Sequence, residues 1–232
     1  VLRAAGKQYA RQPTNVVLFV ILPPLFVLAL GAAMSTFSDV LGGNLTERTS
    51  TALAALWAAA LLSGSASFFI VSASRGADER LVIAGMQRHA VEVAHAAGAA
   101  TMAAAAGTTG GVILVLSTDI ILVLDPYTVA PALLVPGVVL GAAPYAATGI
   151  ALAFVIRGDL EGSFVIILLF MFDAFIAGPL GGADGFWPNL FPLHHPSELV
   201  VDAALNADVS AGRYLWSAGY TVLLVGVAAA AH

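Results

Sequence analysis

Apolar residues along this chain are gathered into six long runs, which are separated by shorter polar segments. The runs are approximately Asn15–Met34, Thr51–Val71, Gly98–Leu124, Thr128–Ile156, Ser163–Leu180 and Tyr214–Ala231. Each run is close to the roughly 20 residues that an α-helix needs to cross the hydrocarbon core of a bilayer. The pattern therefore predicts an all-α polytopic membrane protein with six transmembrane helices in a single domain, residues 1–232.

Residues 1–14 precede the first run and carry three cations at a spacing of four: Arg3, Lys7 and Arg11. On a helix these side chains form one stripe, which predicts an interfacial amphipathic helix whose cations contact anionic lipid headgroups. Ordinary basic flanking that sets the topology explains the same residues equally well. Both interpretations put this segment at the inner membrane face.

The polar segment at residues 74–97 concentrates charge of both signs in a chain that is only 10% charged. Four apolar residues recur within it at helical spacing: Val82, Met86, Ala90 and Val93. This periodicity predicts a short amphipathic helix with a mixed-charge face. Such a face suits docking to a soluble protein, because charge complementarity sets register and association rate. The alternative is a solvated loop whose charges only stop transfer.

The composition favours the membrane class and excludes several others. Hydrophobic residues make up 59% of the 232 positions, which is more apolar surface than a soluble domain of this size can bury. The chain has no cysteine, which excludes disulfides, thiol catalysis and cysteine-based metal sites. Its nine basic residues are too few to suggest nucleic-acid binding.

The basic residues divide unevenly between the two sides of the predicted topology. With the N-terminus in the cytoplasm, most of the nine fall inside: Arg3, Lys7, Arg11, Arg75, Arg80, Arg88 and Arg157. Only Arg48 and Arg213 fall outside. The positive-inside rule therefore predicts a multi-pass protein of the cell membrane with both termini in the cytoplasm.

Three stretches carry a family resemblance: "ILPPLF" in the first run, "RGADERLVIAGMQRH" in the inner segment and "LFPLHHPSELVVDAAL" before the last run. With the order of the predicted elements, they make the chain resemble the permease subunit of type-2 ABC transporters, the ABC-2 family, over nearly its whole length. The resemblance implies that the inner helix is a cytoplasmic coupling helix, which seats in a cleft of the ATP-binding subunit. The coupling residues implied here are Asp78, Glu79, Arg80, Met86 and Arg88.

The resemblance also implies that the outer segment, residues 181–213, forms short re-entrant-type helices at about Gly182–Asn206. It further implies a second permease copy, and export driven by ATP hydrolysis on a separate P-loop subunit. The chain itself lacks a P-loop, because its single lysine, Lys7, is followed by Gln8 rather than Ser or Thr. We therefore expect a transport subunit rather than an enzyme, with no cofactor of its own and with ATP and Mg²⁺ on its partner.

Asp173 is the one carboxylate well inside a predicted span. A charge in the bilayer is costly, which makes this residue a functional candidate and a possible part of the translocation path. One alternative function is therefore an ion-coupled secondary transporter that uses Asp173. The structural alternative is an Asp173 that is protonated or hydrogen-bonded near the outer end of its helix. A second alternative function is a non-transporting membrane scaffold whose inner segment recruits a soluble protein.

Four residues of metal-binding type lie close together in the outer segment: His194, His195, Glu198 and Asp202. Adjacent histidines are expected to point in different directions, and Pro196 is expected to precede any helix. The sequence therefore predicts that these residues begin and cap an outer helix, and it predicts no metal site. It also predicts no catalytic site, since the serines among residues 63–67 have no histidine within any predicted span.

Overall fold

The computed structural model describes residues 21–40, 46–117, 130–176, 187–205 and 211–230. Across these ranges the chain is helical with short connections and contains no strand. The helices are α1 (Leu22–Val40), α2 (Glu47–Ile83), α3 (Arg88–Ser117), α4 (Ala130–Val155), α5 (Asp159–Ile176), a 3₁₀ helix (Trp187–Leu190), α6 (His194–Ala204) and α7 (Ala211–Ala230). The predicted interfacial helix, with Arg3, Lys7 and Arg11, lies outside the described residues, as does the first part of the outer segment.

Three of these helices, α2, α3 and α4, are long and apolar enough to cross a membrane. The described chain is therefore all-helical and of membrane character, as its apolar runs predict. The helices α1, α5 and α7 are shorter, with 19, 18 and 20 residues.

The centre of the fold is the contact between α2 and α4, which bury much of their surface against each other. Leu56 of α2 lies against Gly141, and further along both helices Gly64 lies against Gly149. Contacts thus advance in the same direction along the two helices, which run parallel. A Cβ atom on Gly149 would overlap the carbonyl oxygen of Gly64, so a glycine is needed for the two backbones to approach this closely.

The helices α3 and α5 pack on this pair in the opposite direction. Along α3, Gly107 lies against Val139 and Gly111 against Val135, so α3 is antiparallel to α4. Along α5, the partners on α2 likewise run in reverse order. They are Ser72 with Asp159, Phe68 with Gly162, and Trp57 with Phe170, whose rings are 6.1 Å apart in an edge-on arrangement.

The charged inner segment forms a helical hairpin instead of a separate helix. The long helix α2 continues through the first charged residues to Ile83, and α3 begins only a few residues later at Arg88. The prediction of one amphipathic helix across Val82, Met86, Ala90 and Val93 is therefore wrong, because these residues are divided between two helices and the turn that joins them.

Gly85 is the physical reason for this break. It adopts φ 97°, in the left-handed region that favours glycine. The Met86 N–H donates to the Leu81 carbonyl at 2.9 Å, and the Gly85 N–H donates to the Val82 carbonyl at 3.0 Å. This pair of hydrogen bonds is a Schellman motif, which satisfies the last carbonyls of α2 and ends the helix.

Candidate functional site

The residues expected to couple the chain to a partner are divided by the hairpin into exposed and inward-facing groups. We call residues 79–89 the hairpin tip. Glu79, Arg80 and Arg88 are exposed there, and Met86 is half-buried. Ile83 is also at the tip, with 86% of its surface exposed, in a segment that carries charges of both signs.

Asp78, by contrast, faces into the hairpin. Its Oδ2 accepts a hydrogen bond from Ser74 Oγ at 2.7 Å and lies 2.9 Å from Nε2 of His95, which is buried on α3. Asp78 therefore joins α2 to α3 below the tip. The structure thus separates Asp78 from the surface that Glu79, Arg80 and Arg88 present.

Arg75 fastens the base of the hairpin to the turn between α4 and α5. Its guanidinium donates hydrogen bonds to the carbonyl oxygens of Ala153 and Ile156, at the end of α4. The last carbonyls of a helix have no partner within the helix, and a cation there is also favoured by the helix dipole. Ser72 adds a second connection, since its Oγ donates to Asp159 Oδ1 at 2.6 Å at the start of α5.

Sequence reasoning counted Arg75 only as one of the inside charges, and it missed both this contact and that of Ser72. Arg75 and Ala153 are 78 positions apart in the chain, and Ser72 and Asp159 are 87 positions apart. No local spacing pattern could have found them. The acidic residue that begins α5 was the only available signal, because acidic residues favour the first turn of a helix.

Asp173 lies at the opposite end of the bundle, where it joins three elements. It is 2% exposed, and its Oδ2 accepts a hydrogen bond from the Tyr145 hydroxyl of α4 at 2.7 Å. The Leu193 backbone N–H approaches both carboxylate oxygens, at 3.2 and 3.3 Å. Leu193 is the N-cap residue of α6 and makes no side-chain cap of its own. Asp173 therefore caps α6 from α5, which agrees with the hydrogen-bonded alternative for this residue.

The histidines of the outer segment are closer together than the sequence suggests. The helix α6 begins at His194, so Pro196 lies inside its first turn, where a missing N–H is tolerated. The ring centroids of His194 and His195 are 5.1 Å apart. The expectations that the two histidines diverge and that Pro196 precedes the helix are therefore both wrong.

Glu198 completes a three-residue group with these histidines. One ligand atom from each residue can be chosen so that all lie within 4.8 Å of one another. Glu198 Oε1 is 3.8 Å from His194 Nε2, and Glu198 Oε2 is 4.0 Å from His195 Nδ1. We call His194, His195 and Glu198 the outer cluster. It is a set of donors that could hold a metal ion.

Two residues of α7 pack against the outer cluster. Arg213 Nε is 3.1 Å from Glu198 Oε2, and the same guanidinium pairs with Asp202. Trp216 stacks on His195, with ring centroids 5.6 Å apart. Burial lowers the pKa of His195, and the neighbouring His194 lowers it further, so the neutral imidazole is favoured.

No protein-family model matches the chain, and no curated protein matches it. Two groups of residues in the described chain have the chemistry of a functional site: the hairpin tip with its fastened base, and the outer cluster beside the start of α6.

Proposed function

We propose that this chain is the membrane-spanning permease subunit of an ABC-2 type transporter, which exports a substrate across the cell membrane. A separate P-loop subunit would hydrolyse the ATP, and a second permease copy would complete the pathway. The observation that supports this most directly is the hairpin tip. It is carried by α2 and α3, which are both long and apolar enough to cross a membrane.

The length of α2 supports a tip that stands clear of the bilayer. Its 37 residues extend about 55 Å at 1.5 Å per residue, whereas the hydrocarbon core is about 30 Å thick. After Glu47 and Arg48 at its start, α2 is apolar through its middle and charged again only near its end. The surplus length therefore carries Glu79 and Arg80 beyond the lipid.

We infer that α1, α5 and α7 also cross the membrane, which gives six spans. Helices of 18 to 20 residues extend about 27 to 30 Å, enough to reach across the core. The reversal of direction between α4 and its neighbours α3 and α5 is the alternation that successive crossings require. Four arginines then share the hairpin end, which the positive-inside rule assigns to the cytoplasm: Arg75, Arg80, Arg88 and Arg157.

The chemistry of the tip suits a protein partner better than a headgroup layer. Ile83 offers an apolar anchor, and Arg80, Arg88 and Glu79 around it offer charge of both signs. Anchors of this kind contribute much of the affinity of an interface, and charges around them set orientation and rate. A lipid surface rich in anions would favour a purely basic tip instead.

The contacts at the base give a route from the tip to the rest of the bundle. Asp78 holds the two arms of the hairpin together, and Arg75 and Ser72 hold the first arm to the α4–α5 turn. A displacement of the tip by a partner would therefore move the ends of α4 and α5 as well. This is how ATP hydrolysis on another chain would reach the spans.

The test is capture of the partner by the full chain. We expect a P-loop ATPase to co-purify with the wild-type protein in mild detergent, detected by mass spectrometry in a stoichiometric amount. The R80E/R88E variant should lose it by at least about tenfold, because reversed charges at an interface cost several kcal/mol. R80K/R88K, which keeps the charges, and Arg157→Glu, an exposed site at the same end but off the tip, should retain it.

Two results would contradict the proposal. One is a wild-type protein that brings down no ATPase even after cross-linking. The other is an R80E/R88E variant that remains monodisperse and keeps the ATPase at the wild-type ratio. Capture of a partner that does not hydrolyse ATP would support the scaffold alternative instead.

A further inference from the structure

We propose that His194, His195 and Glu198 bind a divalent transition-metal ion of the Zn²⁺ class at the outer end of the bundle. Imidazole and carboxylate are the donors that such ions take in proteins with open coordination positions. The three side chains arise within five residues of α6, so their relative positions are fixed by one short helix. This site is separate from the hairpin tip and from the proposed transport cycle.

The spacing of the donor atoms is close to what a metal needs. Ligand atoms around a tetrahedral zinc at about 2.1 Å lie about 3.4 Å from one another. Glu198 Oε1 and Oε2 are 3.8 and 4.0 Å from the nearest nitrogens of His194 and His195. With one ligand atom taken from each residue the separations are within 4.8 Å, so side-chain rotation would have to shorten the widest pair by up to about 1.4 Å. Water would complete the coordination.

His195 gives an independent reason to expect a ligand. The residue is 8% exposed, and both ring nitrogens are buried without a hydrogen-bond partner in the described part of the chain. Buried polar groups are almost always paired, because an unsatisfied one costs about 1 to 3 kcal/mol. A metal bound at Nδ1, the nitrogen that faces Glu198, would give one of the two ring nitrogens of His195 a partner.

Arg213 is arranged as the positioning residue of such a site. It contacts Glu198 through Oε2, which leaves Oε1 turned toward His194, and it is held in turn by Asp202. Metal-ligating carboxylates are commonly oriented by hydrogen bonds of this kind. The two carboxylates and the one guanidinium together have a net negative charge, which favours a cation. Because Arg213 belongs to α7, metal binding would also stiffen the junction of α6 with α7.

The experiment is a zinc titration of the purified full chain, made with a histidine-free affinity tag and stripped with EDTA. Zn²⁺ is added in competition with a chromophoric chelator, and Co²⁺ is used separately for its ligand-field spectrum. We expect one ion per chain. His195→Ala and Glu198→Gln should each weaken binding by at least about tenfold, since even residues outside the coordination sphere affect metal affinity by 10- to 100-fold. Bound metal should also raise the thermal midpoint of the wild-type protein.

His89→Ala is the matched control, because it removes an exposed histidine at the hairpin tip. It should bind zinc as the wild type does. Glu198→Gln preserves the side-chain volume and keeps the test valid if His195→Ala does not fold. The proposal is overturned by a wild-type chain without saturable binding, or by folded variants at 195 and 198 that bind as tightly as the wild type.

Discussion

The carboxylate of Asp173 accepts hydrogen bonds from Tyr145 and from the backbone N–H of Leu193, which lie on different elements. From the sequence this residue was a candidate for the translocation path or for ion coupling, because a charge among apolar residues is costly. The structure gives it partners within the fold and only 2% exposure. These contacts favour a positioning role in which Asp173 holds the start of α6 against α4 and α5.

Two substitutions at this position distinguish the roles. Asp173→Ala leaves the Tyr145 hydroxyl and the Leu193 N–H without their acceptor, which should cost about 1 to 3 kcal/mol for each buried group. Asp173→Asn keeps one acceptor oxygen and should lose clearly less stability. Thermal unfolding in detergent measures both. Equal stability of the two variants, together with loss of transport in both, would instead favour the ion-coupled alternative.

The helices could be predicted from the sequence, whereas the residues at which they begin and end could not. A long apolar run is a local signal of a helix, and the six runs correspond to six of the described α-helices. The prediction for the inner segment was wrong because the helical spacing of its apolar residues continues across Gly85, whereas the helix does not. Those residues are Val82, Met86, Ala90 and Val93. A glycine directly after a helical stretch is the stop signal, and it outweighs periodicity. The contacts of Arg75 and Asp173 depend on tertiary neighbours that no local pattern specifies.

The turn at Gly85 can be tested by two glycine-to-alanine substitutions that are expected to change stability in opposite directions. Gly85→Ala forces a left-handed conformation on an L-residue, which should destabilise the hairpin by about 1 to 2 kcal/mol. Gly76→Ala lies inside α2 with open space around it, and should stabilise the helix by about 1 kcal/mol. Hydrogen exchange at residues 79–89 measures both. Equal effects of the two changes would contradict the Schellman turn.

The described helices form a bundle with two chemically different ends. One end carries the hairpin tip and the Arg75 contacts, and the other carries the Asp173 cap and the outer cluster. The sequence predicted this division from the uneven distribution of its arginines. It did not predict the outer cluster, because the start of α6 at His194 brings together side chains that were expected to diverge.

The absence of cysteine makes this division directly measurable, since any introduced cysteine is the only thiol in the chain. Ala84→Cys and Ala211→Cys are matched changes at exposed positions on the two ends. If α3, α4 and α5 all cross the membrane, a membrane-impermeant maleimide should label residue 211 in intact cells. Residue 84 should react only after permeabilisation. Labelling of both from the same side would exclude the six-span topology.

The close approach of Gly64 to Gly149 occurs near the midpoint of α2, about 26 Å from the first residue of that helix and about 28 Å from its last. Contacts on both sides of this point also hold α2, through Trp57 toward its start and through Ser72 and Arg75 toward the hairpin. A push on the hairpin tip would therefore be carried along one unbroken helix to the start of α2, and α4 and α5 would move with it. A movement at one end of the bundle would thus reach the opposite end within a single element.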